Sequence, residues 1–322
     1  MENSILLHGM GTEKLTYMIS KCTNIPLCDQ ELSHFGNGET RVEINSNIRN
    51  KDVIIIAHMR TGSVNDDFMS LIMLVDACRR GDAYRINIAI PYYPYSRSDK
   101  KDRPRVPIGS ATIAHILNMY RVDNVISLDL HSAQLQGLID RGFHNLYAIN
   151  LMTPVIQSEI NNGDSRCVLI SPDVGGIKRV EAYARKLNME HVILHKVRDY
   201  SNPGTVLKSI IIGDPSQYKG KIGILIDDMA DSMGTMVSAT EKLVEHGIEK
   251  VIIVVTHGIF SGKAISRIND CRHISKVICT DSLPQEENVK ACEKLQIVTC
   301  SKLIGDTLEA ILEGKSVSVL FS

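Results

Sequence analysis

Short runs of β-branched residues alternate with longer stretches that repeat apolar positions every three or four residues, from one end of the chain to the other. Val53 to Ala57, Ile86 to Ile90, Val125 to Leu128, Cys167 to Ile170, Gly223 to Ile226 and Val251 to Val255 are almost continuously apolar. That pattern predicts strands buried on both faces. Between them, Asp66 to Arg80 and Thr235 to Glu245 have helical spacing, and Gly81 and Gly247 stop them. On the first helix, Met69, Ile72 and Met73 have the spacing of a core stripe. Strand and helix in alternation predict βαβ units, hence an α/β fold of mainly parallel sheets flanked by helices. Two segments depart from the alternation. Phe35-Gly36-Asn37-Gly38-Glu39 carries an Asn-Gly pair between strand-like runs, a strong hairpin signal. Arg97 to Pro107 is polar, aperiodic and proline-flanked, and is predicted to be a loop.

At 322 residues the chain suffices for two domains. The weakest patterning lies between Arg141 and Asn150, which places the domains at 1–147 and 148–322, with the last residues packing back on the first. The halves show no convincing internal repeat. An apolar share of 43% with 23% charged residues is that of a folded globular protein. The net charge of −1 and the absence of tryptophan argue against a nucleic-acid binder, so an anion site has to be local. Eight cysteines lie scattered, without CxxC spacing. With no signal-peptide layout and no membrane-length apolar run, a cytoplasmic protein with reduced, core-filling thiols is expected.

The most informative chemistry lies at Ile224-Leu225-Ile226-Asp227-Asp228-Met229-Ala230-Asp231-Ser232-Met233-Gly234-Thr235. An apolar strand ends in two carboxylates and passes through small residues into a helix. Ligands of open parallel sheets sit beyond the carboxyl ends of the strands. A helix amino terminus offers free N–H groups and its positive dipole end to a phosphate. Asp227 and Asp228 can accept hydrogen bonds from a sugar diol or hold water on a metal. The plain alternative is a solvated turn with an Asp cap. Ser171-Pro172-Asp173-Val174-Gly175-Gly176 follows another apolar run, and its glycines allow close approach of backbone to an anion. Lys196 and Arg198, two apart in an extended run, share one strand face and suit the charge of a transferring phosphoryl group. Arg97 to Arg105 holds five cations against two acids, which reads as a surface loop or as a lid over phosphates.

The Asp227–Thr235 run resembles the ribose-phosphate signature of type I phosphoribosyltransferases. Several further runs resemble the ribose-phosphate pyrophosphokinases: Pro94 to Asp102, Asp129 to Gly137, Ser171 to Gly176, His195 to Arg198, Thr256 to Gly262 and Gly314 to Ser318. The resemblance is essentially full-length. It implies two phosphoribosyltransferase-like domains and transfer of the diphosphoryl group of ATP to the 1-hydroxyl of ribose 5-phosphate, giving phosphoribosyl pyrophosphate and AMP. It implies Lys196 and Arg198 as catalytic residues. Asp227, Asp228, Asp231, Ser232, Met233, Gly234 and Thr235 would hold ribose 5-phosphate. Phe35, Asn37, Glu39, Arg97, Asp102 and His131 would contact ATP, and His131 and Asp173 would position Mg²⁺. The hairpin would reach into a neighbouring copy of a homo-oligomer, of hexameric form in the family. Arg49 and Lys315-Ser316-Val317-Ser318 would form a regulatory anion site. Gly36, Gly38, Ser98, Asn47 and Lys263 depart from the family pattern. A nucleobase phosphoribosyltransferase and a catalytically silent regulatory subunit are the alternatives; neither membrane nor nucleic acid is an expected partner.

Overall fold

The computed structural model describes residues 3–161, 166–198 and 206–321. The chain divides into two compact units, one of residues 1–147, 282–284 and 299–322, the other of residues 148–281 and 285–298.

In the first unit the elements run β1 (Ser4–His8), α1 (Glu13–Thr23), β2 (Gln30–His34), β3 (Thr40–Ile44), β4 (Asp52–Ile56), α2 (Val64–Arg80), β5 (Arg85–Ala89), α3 (Gly109–Met119), β6 (Asn124–Leu128) and β7 (Gly142–Leu146). Five strands form a parallel sheet in the order β1-β4-β5-β6-β7. Ile54, Ile55, Ile56, Ile86, Ile88 and Val125 are wholly buried in it, each worth about 1.5–3 kcal/mol of removed apolar surface. A polar file crosses three of these strands: His144 Nε2 meets Asn124 Oδ1 at 3.1 Å, and Asn124 Nδ2 donates to Asn87 Oδ1 at 2.7 Å. Burial pulls the His144 imidazole below its ordinary value, so the ring is neutral at physiological pH.

Of the stripe expected on α2, Ile72 is buried but the two methionines are not. Phe68, Leu71, Ile72, Leu74, Val75 and Cys78 are buried, whereas Met69 and Met73 are 50% and 44% exposed. A helix between a sheet and the β2–β3 ribbon buries two faces, which leaves only the edge carrying the methionines in solvent. The Thr40 and Ser70 hydroxyls, 3.2 Å apart, mark the ribbon side.

In the second unit the order is α4 (Ile149–Asn161), β8 (Cys167–Ser171), α5 (Ile177–Leu187), β9 (His191–Arg198), β10 (Val206–Ile212), β11 (Ile222–Ala230), α6 (Gly234–Glu245), β12 (Lys250–Gly258), α7 (Ala264–Asp270), β13 (Ile274–Thr280), α8 (Glu286–Ala291) and β14 (Leu295–Val298). Seven strands form one sheet, β10-β9-β8-β11-β12-β13-β14, parallel except for β10. Alternation along β11 sorts its side chains. Ile222, Ile224 and Ile226 pack with Met152, Val180 and Tyr183 of α4 and α5. Leu225 joins Met236, Ala239 and Ile268 of α6 and α7 on the other face. The last helix, α9 (Ser301–Leu312), belongs to the first unit and packs on α1. A Cβ on Gly305 would stand 3.0 Å from the Thr23 methyl.

Every cysteine is free; six are buried, Cys271 is half-buried and Cys22 is exposed, so Cys22 is no core filler. Among the described residues no helix is long and apolar enough to cross a membrane.

Candidate functional site

Because β8, β11 and β12 are adjacent and parallel, their carboxyl ends deliver residues 171–176, 227–235 and 256–262 to one edge of the sheet. The strand runs further here than the apolar pattern suggests. β11 continues through Asp227 and Asp228 to Ala230, paired with β12 at Asp227–Val255, Met229–His257 and Ala230–Gly258. Both acids therefore lie inside the strand, and the turn proper is Asp231-Ser232-Met233. Met233 adopts a left-handed backbone, φ +64°, and α6 opens at the next residue.

Strand alternation puts Asp228 on the face that α5 covers, and it is only 5% exposed. Its Oδ1 accepts the Met229 N–H at 2.9 Å, and Asp227 Oδ1 accepts the Asp228 N–H at 2.9 Å. Arg179, in the first turn of α5, places Nη1 3.6 Å from Asp227 and 3.7 Å from Asp228. Burial first, and the Asp228 charge second, push the Asp227 carboxyl up to about 7, with Arg179 pulling the other way. Arg179 has no place in the motif reading; a cation one turn into the helix after Ser171–Gly176, one strand from the acids, was the signal for it.

The turn is laced to the segment after β12. The Ala230 carbonyl accepts the Ile259 and Phe260 N–H groups at 2.9 and 3.2 Å. Asp231 Oδ1 accepts the Ser261 hydroxyl at 2.5 Å, and the Ser232 carbonyl accepts Arg267 Nη1 at 2.6 Å. The result is a turn held in place at the amino end of α6, where free N–H groups and the positive dipole end favour an anion.

Beyond the neighbouring strand β8, Asp173 is exposed and its Oδ1 accepts the Gly176 N–H at 3.0 Å, fixing the turn before α5. The Ser171 hydroxyl donates to the Asp173 carbonyl at 2.7 Å. Lys196 and Arg198 close β9, with backbone partners Ser209 and Val206; their side chains lie outside the described residues. Among the described residues no group of three or more histidines, cysteines and acids is gathered as a metal cage.

The other predicted residues are all in the first unit. Phe35-Gly36-Asn37-Gly38 forms a hairpin turn in which the Gly38 N–H donates to the Phe35 carbonyl at 2.8 Å. Gly38 has φ +90°, which glycine alone adopts freely, and Asn37 Oδ1 accepts the Glu39 N–H at 3.2 Å. The Phe35 ring is 53% exposed at this tip. Arg97 and Asp102 lie in the exposed loop before α3, with Asp102 3.6 Å from Arg103. Ser98 pins the base of the loop: its hydroxyl accepts the Gly109 N–H at 3.0 Å, and its carbonyl accepts Ser110 Oγ at 3.0 Å. His131 is exposed, three residues past β6. Arg49 pairs with Asp82, and Lys315 with Glu313 at 2.6 Å. Ser316 and Ser318 hydroxyls meet at 2.6 Å, and Val317 opens a short 3-10 turn.

Two family models match the chain: the N-terminal domain of ribose phosphate pyrophosphokinase over residues 4–120, and the phosphoribosyl synthetase-associated domain over residues 208–322. The crystal structure of phosphoribosylpyrophosphate synthetase from Mycobacterium smegmatis is 32% identical, covers 97% of this chain and 99% of its own, and superposes with a TM-score of 0.88. Adenine phosphoribosyl transferase from Trypanosoma brucei is 17% identical over 43% of this chain and 67% of its own, with a TM-score of 0.33. The enzyme from Giardia lamblia is 17% identical over 47% and 78%, with a TM-score of 0.30. Both of these likenesses are too partial to carry weight.

Proposed function

The chain belongs to the ribose-phosphate pyrophosphokinase family, with its two phosphoribosyltransferase-like domains, and on that premise we propose that it transfers the diphosphoryl group of ATP to the 1-hydroxyl of ribose 5-phosphate. The products are phosphoribosyl pyrophosphate and AMP. The observation that carries the reading is the clamped turn at Asp231–Met233 opening α6, directly beyond the paired acids Asp227 and Asp228.

In this reading the backbone N–H groups of Ser232 to Thr235 receive the 5-phosphate at the positive end of α6. Asp227 and Asp228 accept hydrogen bonds from the ribose 2- and 3-hydroxyls, and Arg179 keeps their combined charge from repelling the phosphates. Lys196 and Arg198, on one face of β9, neutralise charge on the transferring group. The aromatic tip Phe35, with Asn37 and Glu39, supplies an adenine contact to a neighbouring copy in a homo-oligomer. Arg97 and Asp102 close over the nucleotide with their loop and exclude water.

The donor set suits Mg²⁺, a hard cation that keeps its waters and takes one or two carboxylates plus phosphates rather than a protein cage. Asp173 presents an exposed carboxylate at the sheet edge, and His131 stands in the first unit as the nucleotide-side candidate. When bound, the ion neutralises phosphate oxygens. Anion binding at Arg49 and Lys315–Ser318 would displace the exposed Asp82 and Glu313 pairs, which compete weakly in water.

The test is a reaction of the protein with ATP, ribose 5-phosphate and Mg²⁺, followed by ³¹P NMR and nucleotide chromatography. AMP and phosphoribosyl pyrophosphate should appear in equal amounts. Formation of ADP instead, or no AMP at all, rules out the assignment. Turnover only with a nucleobase and phosphoribosyl pyrophosphate identifies a phosphoribosyltransferase.

A further inference from the structure

We propose that Ser261 and Arg267 are positioning residues for the sugar phosphate: the segment after β12 is the mould that holds the Asp231–Thr235 cup in its binding shape. The inference rests on reading that turn as the phosphate cup.

The last residue of β11 and the first two residues of the cup are each held by this one segment. Ala230 is held by the Ile259 and Phe260 amides, Asp231 by the Ser261 hydroxyl, and Ser232 by the Arg267 guanidinium. The arrangement answers a local problem. Met233 sits at φ +64°, a region that costs a residue with a Cβ on the order of 1 kcal/mol or more and persists only where the surroundings over-determine it. Its buried side chain and the clamps on the two preceding residues supply that determination.

Each clamp also has an electrostatic consequence. An acid at the rim of an anion site repels the anion if its carboxylate swings toward it. The Ser261 hydroxyl, at 2.5 Å from Oδ1, fixes the Asp231 rotamer with a short charge-assisted bond. Arg267 Nη1 lies 3.6 Å from where a Cβ on Gly234 would stand, so its positive charge sits against the first residue of α6. There it reinforces the helix dipole without an obligation to touch the ligand.

The mould is itself tightly specified. A Cβ on Gly258 would fall 2.4 Å from the Phe260 ring and 2.9 Å from Cys279 Sγ. Phe260, at φ +46°, folds back over Gly258, and this reversal brings Ser261 onto Asp231.

Ribose 5-phosphate binding to the wild-type protein is measured first by calorimetry, then KM for each substrate and kcat are measured in Ser261→Ala, Arg267→Met and Arg267→Lys. Losing a hydrogen bond to or from a charged group predicts a rise of about tenfold in Kd and KM for ribose 5-phosphate in Arg267→Met. KM for ATP should stay within about twofold, with a smaller rise for Ser261→Ala in the same direction. Guanidinium ion at low concentration should restore part of the affinity of Arg267→Met. Arg267→Lys, which keeps the charge and packing of the stem, guards against a variant that fails to fold. Unchanged ribose 5-phosphate affinity in the folded variants, or parallel losses in both KM values and kcat, overturns the positioning role and leaves the assigned reaction standing. A wild-type protein that does not bind ribose 5-phosphate overturns both.

Discussion

Replacing Arg179 with methionine should open a stability deficit that widens as pH rises. The guanidinium lies 3.6 and 3.7 Å from two carboxylates, and at an effective dielectric constant of about 20 each attraction amounts to roughly 4 kcal/mol before desolvation is counted. Removing one partner from such a buried cluster typically costs about 3–5 kcal/mol unless a carboxylate takes up a proton. Asp227 is the one that does so, since burial and the Asp228 charge already hold its folded value near 7, above its ordinary 3.8. An acid with a raised folded value leaves stability untouched below its unfolded value. It then costs stability progressively as pH climbs toward the folded one, about 1.4 kcal/mol per unit. In the wild type that cost levels off above about 7; without Arg179 the folded value moves higher and the cost keeps growing. The gap between variant and wild type should therefore be smallest near pH 5.5 and larger by up to about 2 kcal/mol near pH 8.5. Urea midpoints of both proteins at the two pH values measure it, and methionine preserves the packing of the arginine stem. In an Asp227→Asn background the pH-dependent part should vanish. A gap that is constant with pH, or that narrows toward pH 8.5, refutes the reasoning.

Gly142→Ala should lower stability by about 2–3 kcal/mol, because its Cβ would stand 2.2 Å from Asn124 Oδ1 and break the polar file to Asn87 and His144; thermal denaturation checks this. Asp67→Asn should cost about 3 kcal/mol, since Asp67 is buried and accepts the Arg60 guanidinium at 2.6 Å and the Arg60 N–H at 2.7 Å, so a urea midpoint equal to wild type would contradict it. A thiol reagent at pH 8 should modify exposed Cys22 first. Cys78, whose thiol burial pushes up to about 12, and wholly buried Cys279, pushed up the same way, should react only on unfolding. Peptide mapping of the first labelled site decides the matter.

The buried strands were legible because a sheet covered on both faces needs apolar residues at every position, and six such runs stand out from their neighbours. The hairpin was legible because Gly38 needs a positive φ that few residues tolerate. The Met69 and Met73 faces were not, since helical periodicity marks a contiguous side without saying how many neighbours cover it. The acids of the candidate site were legible as chemistry but misplaced by a few residues. Carboxylates signal a strand end, yet the ladder with β12 carries β11 on to Ala230, because Arg179 and backbone donors make the buried Asp228 and half-buried Asp227 tolerable together. Arg179, Ser261 and Arg267 reach the site from other elements; Ser261 lies in a run singled out by resemblance and Arg179 one turn past another, but their meeting with Asp227, Asp228 and Asp231 depends on strand order that no local pattern encodes. Ser98, one of the departures from the family pattern, fastens the base of the 97–107 loop through its bonds to Gly109 and Ser110, a role that resemblance did not suggest.

The return of α9 to α1 has a bearing on how the protein is made. The first unit joins residues before 148 to residues after 298, so its contact surface around Thr23 stays bare while the whole second unit is being translated. At about 5–20 residues per second that interval lasts on the order of ten seconds or more, long compared with helix formation and collapse. A ribosome-bound nascent chain would therefore present the face of α1 around Thr23 to holding chaperones until α9 has emerged to cover it.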